Sequence, residues 1–228
     1  MTSTRCIVFT TVVSMCCISI SVTASASDLE NTLARLMEIL PGEFDSAGQL
    51  RAEQATNTPK ESTHGHVYRS FIRIDAPALG NNVLVSTVRY GGRDGHFDNG
   101  EFQVWTLNVD RGKGTVVMKP HRLKTPAAYI ANNRNPNAFK DLAVSELVPA
   151  HGGASCPIAW TPNGTSLRGI TDPPCKSRSE TMDMDLTWDW AYSLDESGMW
   201  INFAGRNDAG DIVNGRADQM PWRLDKLN

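Results

Sequence analysis

The stretch MDMDLTWDW, residues 182–190, constrains the fold more than any other part of this chain. Met182, Met184, Leu186, Trp188 and Trp190 occupy every second position, and polar side chains, mostly aspartate, fill the positions between them. Side chains on a β-strand point alternately to opposite faces, so this pattern predicts a strand with one buried apolar face. We expect the intervening aspartates to form the solvated face and assign them no acid/base role.

Further β-branched and aromatic runs lie along the chain, separated by Gly, Asn and Asp clusters that are typical of turns. They include HVYRSFIRI, NVLVSTVRY, EFQVWTLNVD, GTVVMKP, MWINFAG, DIVNG and PWRLDKL. About ten short strands of this kind are typical of an antiparallel barrel or sandwich. A barrel with an apolar lumen would hold a small ligand.

One helix precedes the strands. SDLENTLARLMEIL has apolar residues at helical spacing and ends at Pro41-Gly42. Ser27 and Glu30 have the spacing of a capping box, and the pattern predicts a helix over residues 28–40 that packs across one end of the barrel.

The first 26 residues have the pattern of a secretory signal peptide. Arg5 precedes an apolar run from Cys6 to about Val22, which is short for a membrane span, and small residues that include Ala24 and Ala26 follow it. We expect cleavage there, a secreted or periplasmic protein with no membrane span, and a single domain over residues 27–228. A retained N-terminal anchor is the alternative.

Cysteine usage agrees with export. Three of the five cysteines lie in the leader, which leaves Cys156 and Cys175. Two cysteines in an oxidising compartment are the number needed for one disulfide, and closing a loop of this length contributes about 3 kcal/mol in the chain-entropy model. A redox pair or a metal site is the alternative, but no C-x-x-C spacing is present, and we expect no metal.

Charge and motifs exclude several classes of function. The net charge is −3 and no basic stripe is present, so nucleic acid and anionic membranes are poor partners. The sequence has neither G-x-S-x-G nor H-E-x-x-H, so it lacks the motifs that define a hydrolase or a metalloprotease. His64 and His66 lie in a polar stretch over residues 51–66, which predicts a loop with exposed histidines.

Four segments taken in order resemble the CpcT/CpeT family of phycobiliprotein chromophore lyases. They are LARLMEILPGEFDSAGQL, NPNAFKDLAVSELVPAHGGASCPIAW, GTSLRGITDPPC and SLDESGMWINFAGRNDAGDIVNG, and the similarity spans most of residues 29–224. The resemblance implies a mainly β, calycin- or lipocalin-like antiparallel barrel with one N-terminal helix. It also implies an open-chain tetrapyrrole (bilin) as a transient ligand, with no permanently bound cofactor, and a cysteine-bearing acceptor protein as partner.

One strand departs from the family pattern. The family strand reads roughly P-Y-R-x-R-V-Y, whereas Glu101 and Gln103 stand at its two arginine positions here. A carboxylate would repel a bilin propionate, so the sequence favours binding over lyase activity, and it does not identify a catalytic residue. The predicted ligand-binding residues are Arg73, Arg89, Gln103 and Trp105, with Tyr90 or Glu101 on the opposite face or at the rim.

Chromophore lyase activity stays open as a hypothesis, and two further alternatives remain. The first is a non-catalytic lipocalin-like envelope protein that binds another small hydrophobic ligand. The second is a structural envelope protein without a ligand, which predicts a barrel filled by its own side chains.

Overall fold

The computed structural model describes residues 25–97, 101–151, 154–179 and 181–227, so residues 1–24 of the predicted leader lie outside the described part. Within these ranges the chain forms three α-helices and fourteen β-strands. The helices are α1 (Ala26–Ile39), α2 (Ala47–Ala55) and α3 (Ala127–Ile130). None of the helices in these ranges is long and apolar enough to cross a membrane.

The strands follow the chain in this order: β1 (Gly42–Asp45), β2 (Val67–Arg73), β3 (Val83–Tyr90), β4 (His96–Phe97), β5 (Gln103–Asp110), β6 (Thr115–Leu123), β7 (Leu147–Pro149), β8 (Ile158–Asn163), β9 (Ser166–Ile170), β10 (Cys175–Ser179), β11 (Met184–Leu194), β12 (Gly198–Arg206), β13 (Ile212–Gly215) and β14 (Trp222–Leu227).

Ten of these strands form a closed antiparallel barrel. The ring runs β1, β2, β3, β5, β6, β8, β9, β11, β12 and β14, and β14 pairs with β1 to close it. Closure removes the exposed sheet edges that an open sheet of this size would present. The prediction of a mainly β antiparallel barrel is confirmed.

The remaining four strands extend the wall at one end of the ring, which we call the open end. β4 pairs with the last residues of β3, and β7 pairs with the last residues of β6. β10 pairs with the first half of β11, and β13 pairs with the last residues of β12. The barrel wall is therefore taller at the open end than the ring alone.

Helix α1 closes the opposite end, where it contacts β5, β6 and β8. Its buried residues Leu36 and Met37 belong to the same apolar core as Met118 and Trp160 inside the barrel. The Arg73 guanidinium donates to the Met37 carbonyl, which satisfies one of the acceptors that every helix leaves unpaired at its C-terminus. Buried side chains therefore fill this end of the barrel.

Two details of the helix prediction are wrong. The capping residue of α1 is Ser25, whose Oγ accepts from the Asp28 N–H at 3.2 Å, while the Asp28 carboxylate accepts from the Ser25 N–H at 3.2 Å. The box therefore lies two residues before Ser27 and Glu30. The barrel also has more than one helix, since α2 and α3 were not predicted. α2 buries none of its residues and so carries no apolar periodicity that sequence reasoning could detect.

The disulfide between Cys156 and Cys175 is present, as the cysteine count predicts. It joins the segment that leads into β8 to the first residue of β10. A second apolar cluster, which includes Phe102, Phe139 and Leu142, covers the outer face of the sheet near β5.

Candidate ligand-binding cavity

A cavity of about 410 Å³ lies at the open end. Side chains from β2, β3, β6, β10, β11, β12, β13 and β14 line it, together with residues that precede β5 and follow β7. Cavities of this size commonly hold small organic ligands. The interior is thus divided between the packed core beside α1 and a space open to solvent.

One wall of the cavity is aromatic. Trp190 and Phe203 face each other across the β11–β12 pair, with ring centroids 4.7 Å apart and planes 23° apart. Phe203 stacks in turn on Trp222 at 5.4 Å, and Trp188 stacks on Trp190 at 6.2 Å. We call these four residues the aromatic wall. It offers a broad π surface to a flat ligand.

The sequence pattern of β11 accounts for half of this wall. β11 begins at Met184, so Met182 and Asp183 of the predicted strand lie in the turn before it. Trp188 and Trp190 face the cavity, whereas the side chains of Asp185 and Asp189 are 72% and 46% exposed. The predicted separation of an apolar face from an acidic face is confirmed.

The cavity also has a polar part, which carries Arg69 from β2, Arg122 from β6, Glu101 and His151. This part adjoins the aromatic wall, because the His151 ring centroid lies 6.3 Å from that of Trp190. Arg69 is only 7% exposed, and its guanidinium lies 4.9 Å from the Phe71 ring centroid and 5.9 Å from that of Trp105. Among the described lining residues, two interior arginines thus face one carboxylate. The arginines come from β2 and β6, whereas the aromatic wall belongs to β11, β12 and β14.

Several N–H donors of the lining residues lack a partner. The Nε atoms of Arg69 and Arg122 and the Nε1 atom of Trp222 are buried and make no hydrogen bond within the described ranges. A buried N–H without an acceptor costs on the order of 1–3 kcal/mol, so such groups call for an explanation. The guanidinium groups of Arg69 and Arg122 therefore have donor capacity that the described residues do not use.

Burial and the two arginines also keep His151 neutral. Burial, with Arg122 and Arg69 adding to it, lowers the pKa of His151 to about 4. Burial raises the pKa of the Tyr192 hydroxyl, a rise that the Arg69 cation opposes. At neutral pH both side chains are uncharged and act as hydrogen-bonding groups, so the arginines supply the positive charge.

Gln103 and Trp105 lie beneath this cavity. Both are 3% exposed and line a small space of about 20 Å³ that shares Arg69, Glu101, His151 and Trp190 with the main cavity. The Trp105 indole donates to the Ser86 hydroxyl at 2.8 Å, which fixes the ring that supports Arg69. These two predicted residues thus form the layer below the cavity floor.

The two arginines that the sequence suggested lie elsewhere. Arg89 points away from the lumen, because Val88 and Tyr90 on either side of it face the cavity. Its guanidinium donates to the Gly95 carbonyl at 3.2 Å and lies 5.2 Å from the Phe97 ring centroid. Arg73 shares a face with Arg69, but four residues of strand separate them by about 13 Å, which places Arg73 beside α1.

Sequence reasoning missed Arg69 and Arg122 and misplaced Glu101. Residues two apart on a strand share a face, so Glu101 lines the cavity above Gln103, while Tyr90 lies at the rim with 47% exposure. Arg69 had a signal, because it alternates with Phe71 on the face that points into the barrel, although Tyr68 and Ser70 on the other face are buried as well. In VYRSFIR, however, the other face carries Tyr68 and Ile72, so the sequence does not reveal which side faces inward.

The prediction that His64 is exposed is wrong. His64 is 3% exposed, its Nδ1 contacts the Glu53 carboxylate, and its Nε2 lies 3.2 Å from the Met220 carbonyl. The ring packs edge-on against Trp222 at 5.1 Å. The pair formed by Glu53 of α2 and His64 therefore supports the aromatic wall from behind.

No protein-family profile matches the chain, and no match is found among curated proteins. Solved structures with a similar fold do exist. The chain is similar to the CRL protein of Arabidopsis, with a TM-score of 0.61 and 11% identity over 86% of this chain and 98% of that one. It is also similar to CpeT, a T-type phycobiliprotein lyase from Prochlorococcus phage P-HM1, with a TM-score of 0.48 and 13% identity over the same shares of the two chains. The likeness to the CRL protein shows a common barrel fold.

Proposed function

We propose that this protein is a binding barrel for a flat, conjugated ligand that carries carboxylate groups, and that open-chain tetrapyrroles are the ligand class. The observation that carries the proposal is that Arg69 and Arg122 line the same cavity as the aromatic wall. The sequence resemblance to CpcT/CpeT chromophore lyases supports the choice of a tetrapyrrole.

The aromatic wall and the two arginines would contact different parts of such a ligand. The pyrrole rings would stack on Trp190 and Phe203, where aromatic pairs contribute about 0.5–1.5 kcal/mol beyond area burial. The propionates would accept hydrogen bonds from Arg69 and Arg122, and the fork of a guanidinium matches a carboxylate. Because the site is partly shielded from water, these charge-assisted contacts are stronger than on an open surface.

Binding without covalent chemistry is the activity that we propose. A lyase joins its bilin to a thiol, and both cysteines of the described residues form the disulfide. The described residues therefore offer no free thiol for covalent attachment to the barrel itself, and lyase chemistry would use an acceptor protein, as the family resemblance implies. Glu101 also lies inside the cavity at a position where the family pattern has an arginine, so the propionate contacts differ from that pattern.

We also propose that the protein acts outside the cytoplasm. The leader of residues 1–26 and the disulfide support this location, since disulfides persist in oxidising compartments. The ligand would then be bound after export.

The test is a titration with biliverdin, an open-chain tetrapyrrole with two propionates, followed by absorbance. We expect Arg69→Met and Arg122→Met each to raise Kd about 10- to 100-fold, because each removes a charge-assisted hydrogen bond worth about 1.5–3 kcal/mol. Arg89→Met is the matched control, and it should leave Kd within about twofold because Arg89 lies on the outer face.

A second ligand sharpens this test. Biliverdin dimethyl ester lacks the carboxylate charges, so it should bind the wild-type protein more weakly and be insensitive to Arg69→Met. Circular dichroism checks that each variant is folded. Equal binding by all three arginine variants, or binding of palmitate but not of biliverdin, would reject the tetrapyrrole proposal.

A further inference from the structure

The β10–β11 hairpin borders the cavity although β10 is not part of the ten-strand ring. Within the described residues, β10 forms a ladder with β11 alone. Ser177, Arg178 and Ser179 of β10 nevertheless line the cavity together with Met182. The edge of β10 that faces away from β11 has no strand ladder there to hold it in place.

The disulfide supplies a connection at this point. Cys175 is the first residue of β10, and Cys156 is buried in the segment before β8, where it borders the small space below the cavity. The bridge therefore ties β10 to a part of the barrel that its hydrogen bonds do not reach.

Contacts lead directly from the disulfide to the aromatic wall. Cys175 pairs with Trp188 in the β10–β11 register. Two residues along β10, the Ser177 hydroxyl accepts a hydrogen bond from Trp188 Nε1 at 2.9 Å. Since Trp188 stacks on Trp190, the position of β10 sets the position of the outer end of the aromatic wall.

We infer that the Cys156–Cys175 disulfide is a positioning element of the ligand site, whose reduction weakens ligand binding while the ten-strand ring stays folded. The inference rests on the proposed function. Reduction by a dithiol transfers two electrons and two protons to the bridge, which yields two thiols and the cyclic disulfide of the reductant. β10 then remains attached through β11 alone, and Trp188 loses its fixed partner.

Thermodynamic linkage between ligand binding and reduction of the disulfide makes this inference quantitative. If the disulfide strengthens binding of a ligand by some factor, that ligand must favour the disulfide over the dithiol by the same factor. For a two-electron couple, a tenfold difference in affinity lowers the midpoint potential by about 30 mV. A bridge that only stabilises the fold would leave the two affinities equal and the midpoint unchanged. In the proposed cellular setting, the site would become competent after export, when the two cysteines are oxidised outside the cytoplasm.

Affinity is measured first with biliverdin and the double variant Cys156→Ser/Cys175→Ser, whose fold is checked by far-UV circular dichroism. We expect Kd to rise at least tenfold. Ser177→Ala, which keeps the bridge, should raise Kd several-fold, whereas Ser177→Thr keeps the hydroxyl and should restore binding. Equal Kd for the wild-type protein and the folded double variant would overturn the inference.

The midpoint potential is measured next by thiol trapping in dithiothreitol redox buffers. The probe is 1-anilinonaphthalene-8-sulfonate, a flat aromatic anion, after it has been shown to compete with biliverdin. The wild-type midpoint should fall by about 30 mV for every tenfold difference between the probe's affinities for the two redox states. An unchanged midpoint at saturating probe would contradict the inference.

Hydrogen exchange separates this inference from the proposed function. In the double variant the amides of β10 and the first half of β11 should exchange faster, while those of β5 and β6 stay protected. If oxidised wild-type protein binds no biliverdin, the proposed function fails, and this exchange pattern still tests the positioning role. Unchanged exchange in β10 would reject that role.

Discussion

At the scale of one residue, Arg69 is a positive charge buried inside the barrel. Burying a guanidinium costs several kcal/mol unless other groups compensate for the lost hydration. The rings of Phe71 and Trp105 supply cation–π contacts, yet the Nε atom has no acceptor within the described residues. The compensation from the described residues is therefore incomplete, which supports the proposed contact between Arg69 and an anionic ligand.

His151 gives a prediction at the same scale. Its pKa is about 4 in the folded protein and about 6.5 in an unfolded chain, so between these values only the unfolded state takes up a proton. Stability is therefore fully present above pH 6.5 and falls as the pH drops toward 4, by on the order of 3 kcal/mol in total.

Urea unfolding at a series of pH values measures this loss. His151→Gln should remove it, because glutamine does not titrate, whereas His96→Gln, at an exposed side chain, is the control and should leave the curve unchanged. A histidine NMR titration that placed the His151 midpoint near 6.5 would contradict the prediction.

At the scale of one element, α1 depends on its first turn. Ser25 and Asp28 satisfy each other's backbone N–H groups, and the helix then buries Leu36 and Met37 in the barrel. The sequence suggested Ser27 as the capping residue, whereas the structure places the cap at Ser25. The position matters for export, because cleavage after Ala24 would leave the cap in place and cleavage after Ala26 would remove it.

The two serines provide a matched pair of variants. We expect Ser25→Ala to lower the free energy of unfolding by about 1 kcal/mol, since it removes the capping oxygen. Ser27→Ala should have an effect close to zero, because Ser27 caps no backbone N–H and is exposed. Urea unfolding compares them, and a larger loss for Ser27→Ala would return the cap to the position that the sequence suggested.

At the scale of the whole molecule, the barrel separates stability from binding. The end closed by α1 is packed, and Leu36 there is fully buried, whereas Trp188 at the open end borders a cavity. Closely packed interiors are sensitive to lost volume, while a side chain beside a cavity has fewer neighbours to lose.

Two substitutions test this division. Leu36→Ala should lower the free energy of unfolding by about 2–5 kcal/mol and leave the Kd for biliverdin within about twofold under folding conditions. Trp188→Leu should cost about 1 kcal/mol of stability and weaken biliverdin binding about tenfold. Urea unfolding and absorbance titration measure both quantities. A variant at the closed end that impaired binding as strongly as Trp188→Leu would argue against separate roles for the two ends.

Several features of the protein follow from the sequence by itself. The period-2 alternation of residues 182–190, the apolar spacing of α1 and the pairing of Cys156 with Cys175 were predicted, because each depends on local periodicity or on counting. Local periodicity survives folding since a strand or helix buries whichever face is apolar. The antiparallel barrel itself follows from these short runs and from the family resemblance.

The set of residues that line the cavity depends on tertiary structure and could not be predicted from the sequence. Arg69 and Arg122 are 53 positions apart in the sequence and meet because β2 and β6 lie near each other in the ring, with β3 and β5 between them. Which face of β2 points inward depends on its register with β1 and β3, and a register shift of one residue would have turned Arg69 outward. The sequence therefore determined a barrel with alternating strands, and closure of the ring decided which charges face the lumen.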